Sequence, residues 1–549
     1  MSEERGGEDS MQTPENDQAA AVVDIEARRR MRQKVEERVA AEEEQYGSGG
    51  DDGGEPDDKF VKYCLAANEL GDGELFCRLH RDQYLFDKAA GNWLVWSGHH
   101  WQVDRMETAR AAVESLAAEY GKMIPVLKKE LSDCGEEEEG KKIRIRAQLK
   151  AVHERIRGLR TVKRRTNCLQ MAHQCENPVA VDGKQIDCRP WKLACANGVI
   201  DLRTGELHPG RREDYLCKAS PVEWHGIDAD YRPWEDALTQ MMDGNRQLVG
   251  FLQRSLGMSL IGEVMASAFF VWSGVGRNGK SVIAETICNV LGPLAGAIRS
   301  EMLLDQGRVA SAGGPTPHIM RLRGLRIAFA SETDDGCKIS PSQVKWLTGR
   351  DRLVGRGPYD RLDIDFEPTH TLFLLTNHKP QAPVDDFAFW ERMHLTPFPL
   401  SFVNRDPRAE NERRANPNLP NELAAIYPGI LAWLVIGCLE FQRGGLQPPP
   451  AVLQATEDYK RDEDLLADFI AECLEVTGDE NDSLGSTKGH EVFSAWWKRR
   501  VSARSPSLKR FGGWMKKRFT ATKKGTVAYI GVRLSGDGQT YLDGNWSGG

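Results

Sequence analysis

From Ala266 the sequence reads ASAFFVW, then SGVGRNGK, then SVIAETICNVL: an apolar run, a glycine-rich turn and a helix pattern. Gly274-Val275-Gly276-Arg277-Asn278-Gly279-Lys280-Ser281 fits G-x-x-x-x-G-K-[ST]. A strand feeding a helix through so short a turn belongs to a parallel sheet covered by helices, so this segment commits the chain to an α/β domain. The glycines let backbone N–H groups curl round phosphates, and the helix N-terminus adds positive potential. The motif predicts nucleotide binding by Gly274, Gly276, Arg277, Asn278, Gly279, Lys280, Ser281 and Val282. Lys280 is expected to reach the β- and γ-phosphates and the Ser281 hydroxyl to ligate Mg²⁺, so ATP and Mg²⁺ are the expected cofactors.

A phosphate-binding loop serves kinases and motors alike, and a motor needs a second acid at the end of a neighbouring strand. In LRIAFASE, Glu332 follows the apolar run Leu325–Ala330 and is the candidate to hold Mg²⁺ or orient the attacking water, with Asp334 and Asp335 as rivals. A third apolar run, HTLFLLTN, ends at Asn377, whose amide could position water beside the γ-phosphate. Arg392 follows in DDFAFWERMHLTPF. Such an Arg is usually structural, but in a ring ATPase it can enter the neighbouring subunit's site. Strand and helix patterns alternate across 236–445, the expected motor domain.

Net charge is −8, from 73 Lys/Arg against 81 Asp/Glu, and it hides an asymmetry. Residues 1–58 hold 7 Lys/Arg and 18 Asp/Glu and end in GSGGDDGGEPDD, the composition of a disordered tail, with a short helix allowed over Ile25–Ala41. Residues 485–549 hold 13 Lys/Arg and 3 Asp/Glu, which suits contact with a polyanion. No stretch approaches the roughly 20 apolar residues of a membrane span, and no apolar segment near the N-terminus reads as a secretion signal. The 12 Cys form no C-x-x-C and read as reduced thiols, which fits a cytoplasmic protein.

Between tail and motor, 59–235 reads as an α+β region, with aromatic, strand-like pieces over 59–105 that include a hairpin in NWLVWSGHHW. Two long helices follow over 106–176, broken near Cys134–Gly140, and ANGVIDLRTGELHP reads as a second hairpin. Past Gly444-Gly445 and Pro448-Pro449-Pro450, residues 451–480 read as helix in a 446–485 linker. Residues 486–549 form a basic module. Ser505-Pro506 reads as a helix start. SLKRFGGWMKKRF then places Lys509, Arg510, Lys516 and Lys517 among aromatics that suit a core better than a base-stacking platform, and ATKKGTVAYIGVRL adds a hairpin with Lys523 and Lys524 at its tip. Helix then basic hairpin has the outline of a winged helix on duplex DNA.

The order GVGRNGKS, RLRGLRIAFASE, VKWLTGRDRLVGRGPYD, FLLTNHKP and DDFAFWERMHLTPF resembles the superfamily 3 helicases, and within them the helicase part of phage and plasmid primase-helicases and the related poxvirus primase-helicase. WLVWSGHHW, NGVIDLRTGEL and FLQRSLGMSLIG extend the likeness, so it spans roughly 80–545. The resemblance implies an AAA+-like motor working as a ring, usually a hexamer, with sites between subunits and 3′→5′ movement on single-stranded DNA. Carried over by residue, Lys280 and Ser281 take the phosphate and metal roles, Glu332 the second acid's, Asn377 the sensor's and Arg392 the finger's. The block between acid and sensor usually holds the pore element, which offers Lys345, Arg350, Arg352 and Arg356 here, with Gly355 and Gly357 suited to its tip; a plain solvated loop is the bland alternative. Many members carry paired acids where this chain has Ser331-Glu332. No Asp-x-Asp/Glu pair with a downstream His stands where a primase would, so the expected activity is helicase without priming. Expected partners are single-stranded and forked DNA, origin duplex through the basic module, further copies of the chain and replication proteins. An initiator whose ATPase switches assembly without unwinding is the alternative; a DNA-binding scaffold with a decayed motor and a small-molecule kinase are weaker rivals.

Overall fold

The computed structural model describes residues 55–305, 315–331, 337–357, 363–501, 505–524 and 526–543, apart from the side chains of 523, 524 and 543. The helix expected over 25–41, with nearly all of the acidic tail, lies outside these residues. The chain divides into two compact units. One takes in the described residues up to Ser97, Trp101–Gly183 and Arg211–Tyr215; the other takes Gly98–His100, Lys184–Gly210 and the chain from Leu216.

The first unit is a helical cluster with a small sheet. Its main elements are α1 (Asp58–Ala66), α2 (Asn68–His80), β1 (Tyr84–Asp87), β2 (Asn92–Trp96), β3 (Trp101–Val103), α3 (Glu114–Ser132), α4 (Glu139–Leu159), α5 (Val162–Ala172) and β4 (Ala180–Val181). The sheet runs β3-β2-β1-β4, and β2 and β3 form the expected hairpin with Trp96 opposite Trp101. The helix break falls at residues 133–138, as the sequence predicts. Residues 59–80 correct the strand-like expectation: they are helical. Gly71-Asp72-Gly73 looks like a turn but sits inside α2, because a Cβ at Gly71 would lie 2.1 Å from the Cys64 carbonyl oxygen and one at Gly73 2.6 Å from Met171 Cβ. Close backbone packing, not a turn, explains those glycines.

The second unit opens with a meander, β5 (Lys192–Cys195), β6 (Gly198–Asp201) and β7 (Glu206–His208), in which β6 and β7 are the second expected hairpin. After α6 (Arg232–Met241) and α7 (Arg246–Met258) comes a five-stranded sheet: β8 (Phe269–Ser273), β9 (Ala295–Ile298), β10 (Ile327–Ser331), β13 (Thr371–Thr376) and β14 (Met393–Pro397). All its pairings are parallel, in the order β14-β8-β13-β10-β9. Near-continuous burial of FFVW, IAFA and LFLLT fits strands covered on both faces. α8 (Lys280–Leu291) follows β8; between β10 and β13 lie α9 (Pro341–Leu347) and an antiparallel pair, β11 (Leu353–Gly355) and β12 (Ile364–Phe366). A short parallel pair, β15 (Ser401–Val403) and β16 (Glu412–Arg414), precedes the apolar α10 (Tyr427–Gly444), which packs along α7 and is buried over most of its length.

Residues 451–480 are not one helix: α11 (Pro450–Asp462) and α12 (Leu465–Cys473) precede β17 (Leu474–Val476). Leu466, Phe469 and Cys473 of α12 join Phe493, Trp496, Phe511 and Tyr529 in one core. That core is built from α12, β18 (Ser483–Gly485), α13 (Ser486–Arg500), α14 (Leu508–Arg518), β19 (Ala521–Lys524) and β20 (Thr526–Ile530), the strands ordered β18-β20-β19. The helix start expected at Ser505-Pro506 moves to Leu508. Ser507 is the extended cap residue and its carbonyl takes the first helical bond, from Phe511 N at 3.0 Å, while the Pro506 carbonyl accepts from His490 Nε2 at 2.8 Å.

Candidate functional site

The glycine-rich loop leaves the C-terminal edge of β8 and enters α8 at Lys280. Gly276, Arg277 and Gly279 take φ of +55°, +50° and +87°, which turns the backbone back on itself. The outer glycines are sterically required. A Cβ at Gly274 would lie 2.5 Å from the Phe398 backbone carbonyl oxygen, and one at Gly279 would be strained by the left-handed φ as well as lying 2.5 Å from Met241 Sδ on α6. The segment after β14 steadies the loop: Phe402 N donates to the Arg277 carbonyl at 2.6 Å and Ser401 Oγ to that of Gly276 at 3.5 Å. This clamp carries no motif, so nothing local in the chain signals it. Asn278 is buried with Nδ2 unpaired among the described residues, whereas Ser281 and Arg277 are exposed and Val282 half-buried.

Lys280 is 5% exposed, and its Nζ donates to the Gly274 carbonyl at 2.8 Å and to Asn377 Oδ1 at 3.0 Å. Asn377 Oδ1 also accepts from Gly276 N at 3.1 Å, so strand β13 delivers the expected amide to the loop. Among the described residues no carboxylate pairs with this ammonium; Glu332, Asp334 and Asp335 lie outside them. A buried cation held only by neutral acceptors is costly, and an anionic phosphate would relieve the cost. The curled backbone, the unpaired Asn278 amide and the bare ammonium therefore suit a nucleotide phosphate chain, with Ser281 at the helix start available to a Mg²⁺ ion.

Burial pushes the Lys280 ammonium down to about 8. Without nucleotide the folded site sheds its proton above that pH, while the unfolded chain keeps it to the ordinary lysine value. Stability therefore rises with pH across that window. Phosphate binding needs the proton back, so it runs the other way. Nucleotide affinity should fall up to tenfold per pH unit above about 8. Titration of a fluorescent ATP analogue between pH 7 and 9.5 checks this, and Lys280→Met should flatten the profile.

Arg392 does not join this site. It stands just before β14, and its carbonyl accepts from Phe269 N at 2.6 Å, at the N-terminal edge of the sheet. The loop leaves the C-terminal edge, about 15 Å away along five residues of strand, beyond the reach of one side chain. Arg392 Nη1 donates to the Ala388 carbonyl at 2.6 Å. The block expected to hold the pore element contains the antiparallel pair β11/β12, with Gly355 opposite Ile364; residues 358–362 lie outside the described residues. Its cations are engaged: Arg352 with Asp365 at 2.7 Å and Glu367 at 3.2 Å, Arg356 with Asp363 at 3.8 Å, and Lys345 of α9 with Asp386 at 2.7 Å. Arg350 Nε donates to the Val264 carbonyl at 3.3 Å.

The family described as D5 N terminal like matches residues 73–243. The candidate helicase L207/L206 of Acanthamoeba polyphaga mimivirus is 22% identical over 79% of this chain and 46% of its own length. Candidate helicase 022R of Frog virus 3 (isolate Goorha) is 24% identical over 59% of this chain and 40% of its own. The uncoating factor OPG117 of Monkeypox virus is 27% identical over 42% and 31%. By these matches this chain is similar to the superfamily 3 helicases, of the primase-helicase type. It spans about half the length of the curated relatives it matches. Those relatives are viral, and they lend no support to a phage or plasmid origin or a bacterial host.

No helix among the described residues is long and apolar enough to cross a membrane. The C-terminal cations fall into two sets. Lys509 and Lys516 are exposed, and Arg510 lies 5.1 Å from the Trp514 ring. Lys517 pairs with Asp385 at 3.0 Å. The side chains of Lys523 and Lys524 lie outside the described residues. Phe511 is fully buried and Trp514 and Phe519 partly so, which makes them core as expected. Asp385 and Asp386 escaped the sequence reading; two acids beside an aromatic turn carry no signal until the fold sets them against Lys517 and Lys345.

Proposed function

We propose that this chain is an ATP-driven DNA helicase whose hydrolysis site is completed by a second copy. The observation that carries the reading is the split across one sheet: buried Lys280, with only neutral acceptors among the described residues, at one edge and Arg392 at the other. An Arg that cannot reach its own loop supports a finger role only between copies, and a strand order of β14-β8-β13-β10-β9 supports an AAA+-like motor. On binding ATP, Lys280 would exchange Gly274 and Asn377 for phosphate oxygens, which frees the Asn377 amide to orient water. Mg²⁺, held by Ser281 and Glu332, would neutralise phosphate charge. The hairpin cations Arg352 and Arg356, and Lys345 behind them, would exchange acidic partners for DNA phosphates, the handle common to every sequence. Ring size and 3′→5′ polarity follow from family resemblance, a winged-helix role for Lys509, Arg510, Lys516, Lys517, Lys523 and Lys524 from the helix-then-basic-hairpin pattern, and the reading includes no priming step.

A labelled forked duplex tests it. Wild type should displace the strand with ATP, and Arg392→Ala should lose displacement while retaining nucleotide binding. Mixing Arg392→Ala with Lys280→Ala should restore part of the hydrolysis, because some interfaces then pair an intact loop with an intact finger. Additive inactivity in the mixture would sink the shared site. The exposed Lys509 and Lys516 favour the second reading, an initiator on duplex DNA, which predicts ATP-dependent assembly on duplex with no displacement by wild type.

A further inference from the structure

Helix α4 carries a charge pattern that neither the nucleotide loop nor the hairpin uses. Residues 141–165 hold eleven Lys/Arg and one acid, Glu154, in a chain of net charge −8. The buried side of α4 is Ile145, Val152, Arg155 and Leu159. At helical spacing Arg146, Lys150, His153, Arg157 and Arg160 fall on the opposite side, and all five are exposed. Their spacing of i, i+4, i+7, i+11 and i+14 makes one stripe about 21 Å long. A solvated helix face ordinarily mixes signs, with Glu set against Lys or Arg one turn away. Here the acids that pair with the stripe stand near its ends, Glu139 3.4 Å from Arg146 and Glu114 2.9 Å from Arg160, while exposed Glu154, one turn from both Lys150 and Arg157, makes no ion pair with either among the described residues. The two end pairs are exposed ion pairs, which hold weakly and exchange readily. Lys150 and Arg157, in the middle, have no acidic partner among the described residues.

We infer that this face of α4 docks the phosphate backbone of a nucleic-acid strand, apart from the hairpin and the C-terminal module. The stripe matches about six phosphates at ~3.4 Å along one strand. A row of four cations, interrupted only by His153, suits a backbone and not a base. The inference rests on the reading that this chain works on nucleic acid. The rival polyanion is the chain's own residues 1–58, with 18 Asp/Glu.

The test uses the full chain carrying Arg146→Gln, Lys150→Gln and Arg157→Gln, beside wild type and an α3 control, Lys128→Gln/Lys129→Gln. Fluorescent oligo-dT and a duplex oligonucleotide are titrated across a salt series. For oligo-dT the slope of log K against log salt should become shallower by about 2, at ~0.7 per single-strand phosphate, with the control unchanged. A matching change on duplex alone also supports the inference and assigns the face to double strands. Equal affinity and slope for variant and wild type on both probes overturns it. So does wild-type binding that rises to a common level with the variant once residues 1–54 are removed, which would give the face to the acidic tail. Hydrolysis without DNA is read in the same samples. A failed stripe with normal hydrolysis leaves the motor reading standing, whereas a wild type without hydrolysis fails that reading alone.

Discussion

Lys280→Ala is expected to lower ATP hydrolysis by about 10²–10³-fold, the usual cost of removing one charged donor from a preorganised phosphate site. The geometry argues for the upper part of that range. The ammonium is buried, so it acts through a medium that screens little, and no second described cation shares its position. The residues it leaves behind, the Gly274 carbonyl and Asn377 Oδ1, are acceptors that would face phosphate oxygens with nothing between them. The loop itself should survive, because its shape is fixed by the glycines and by Phe402 N on the Arg277 carbonyl, not by the lysine. The measurement is steady-state phosphate release with and without single-stranded DNA, paired with circular dichroism to show an intact fold. Turnover within a few-fold of wild type would mean that hydrolysis happens elsewhere.

The motor was legible because its chemistry is local in sequence. One loop, one apolar run before it and two after it name Lys280, Asn377 and the sheet that joins them, and the strands appear within two residues of their expected bounds. What sequence could not supply was the side of the sheet on which each residue stands. Arg392 follows aromatics as a finger might, but only the parallel pairing of β14 with β8 sets it at the far edge. Charge was read by segment totals, and that hid α4, whose cations are balanced in the count by acids at 130–139. The helical spacing that gathers Arg146, Lys150 and Arg157 on one face is invisible to a sum. The first helices were missed for a different reason. Glycine in mid-helix normally signals a turn, and nothing local says that two neighbouring backbones lie against Gly71 and Gly73.

Between those two glycines, Asp72→Ala should cost about 3–5 kcal/mol of stability in the first unit, the effect of removing one partner from a buried ion pair. Asp72 is fully buried, with Oδ1 2.7 Å from Arg155 Nη1 and Oδ2 2.7 Å from Arg164 Nη2, and Tyr120 OH donates to it at 3.0 Å. Arg155, itself 6% exposed, also donates to the Leu65 carbonyl at 2.8 Å. One carboxylate thus ties α2 to α3, α4 and α5, and Arg155 extends the tie to α1. Without it two guanidinium groups face each other in an apolar cluster, and charge repulsion adds to the lost bonds. Tyr120→Phe, which removes one hydrogen bond and no charge, should cost only about 1 kcal/mol. The double change Asp72→Leu with Arg155→Met should recover much of the loss, because an apolar pair of similar volume needs no desolvation of charge. Urea denaturation followed by tryptophan fluorescence and far-ultraviolet dichroism would separate this transition from that of the motor unit. If Asp72→Ala and Tyr120→Phe melt together, the carboxylate is an ordinary hydrogen-bond acceptor and the helices are held by their apolar contacts alone.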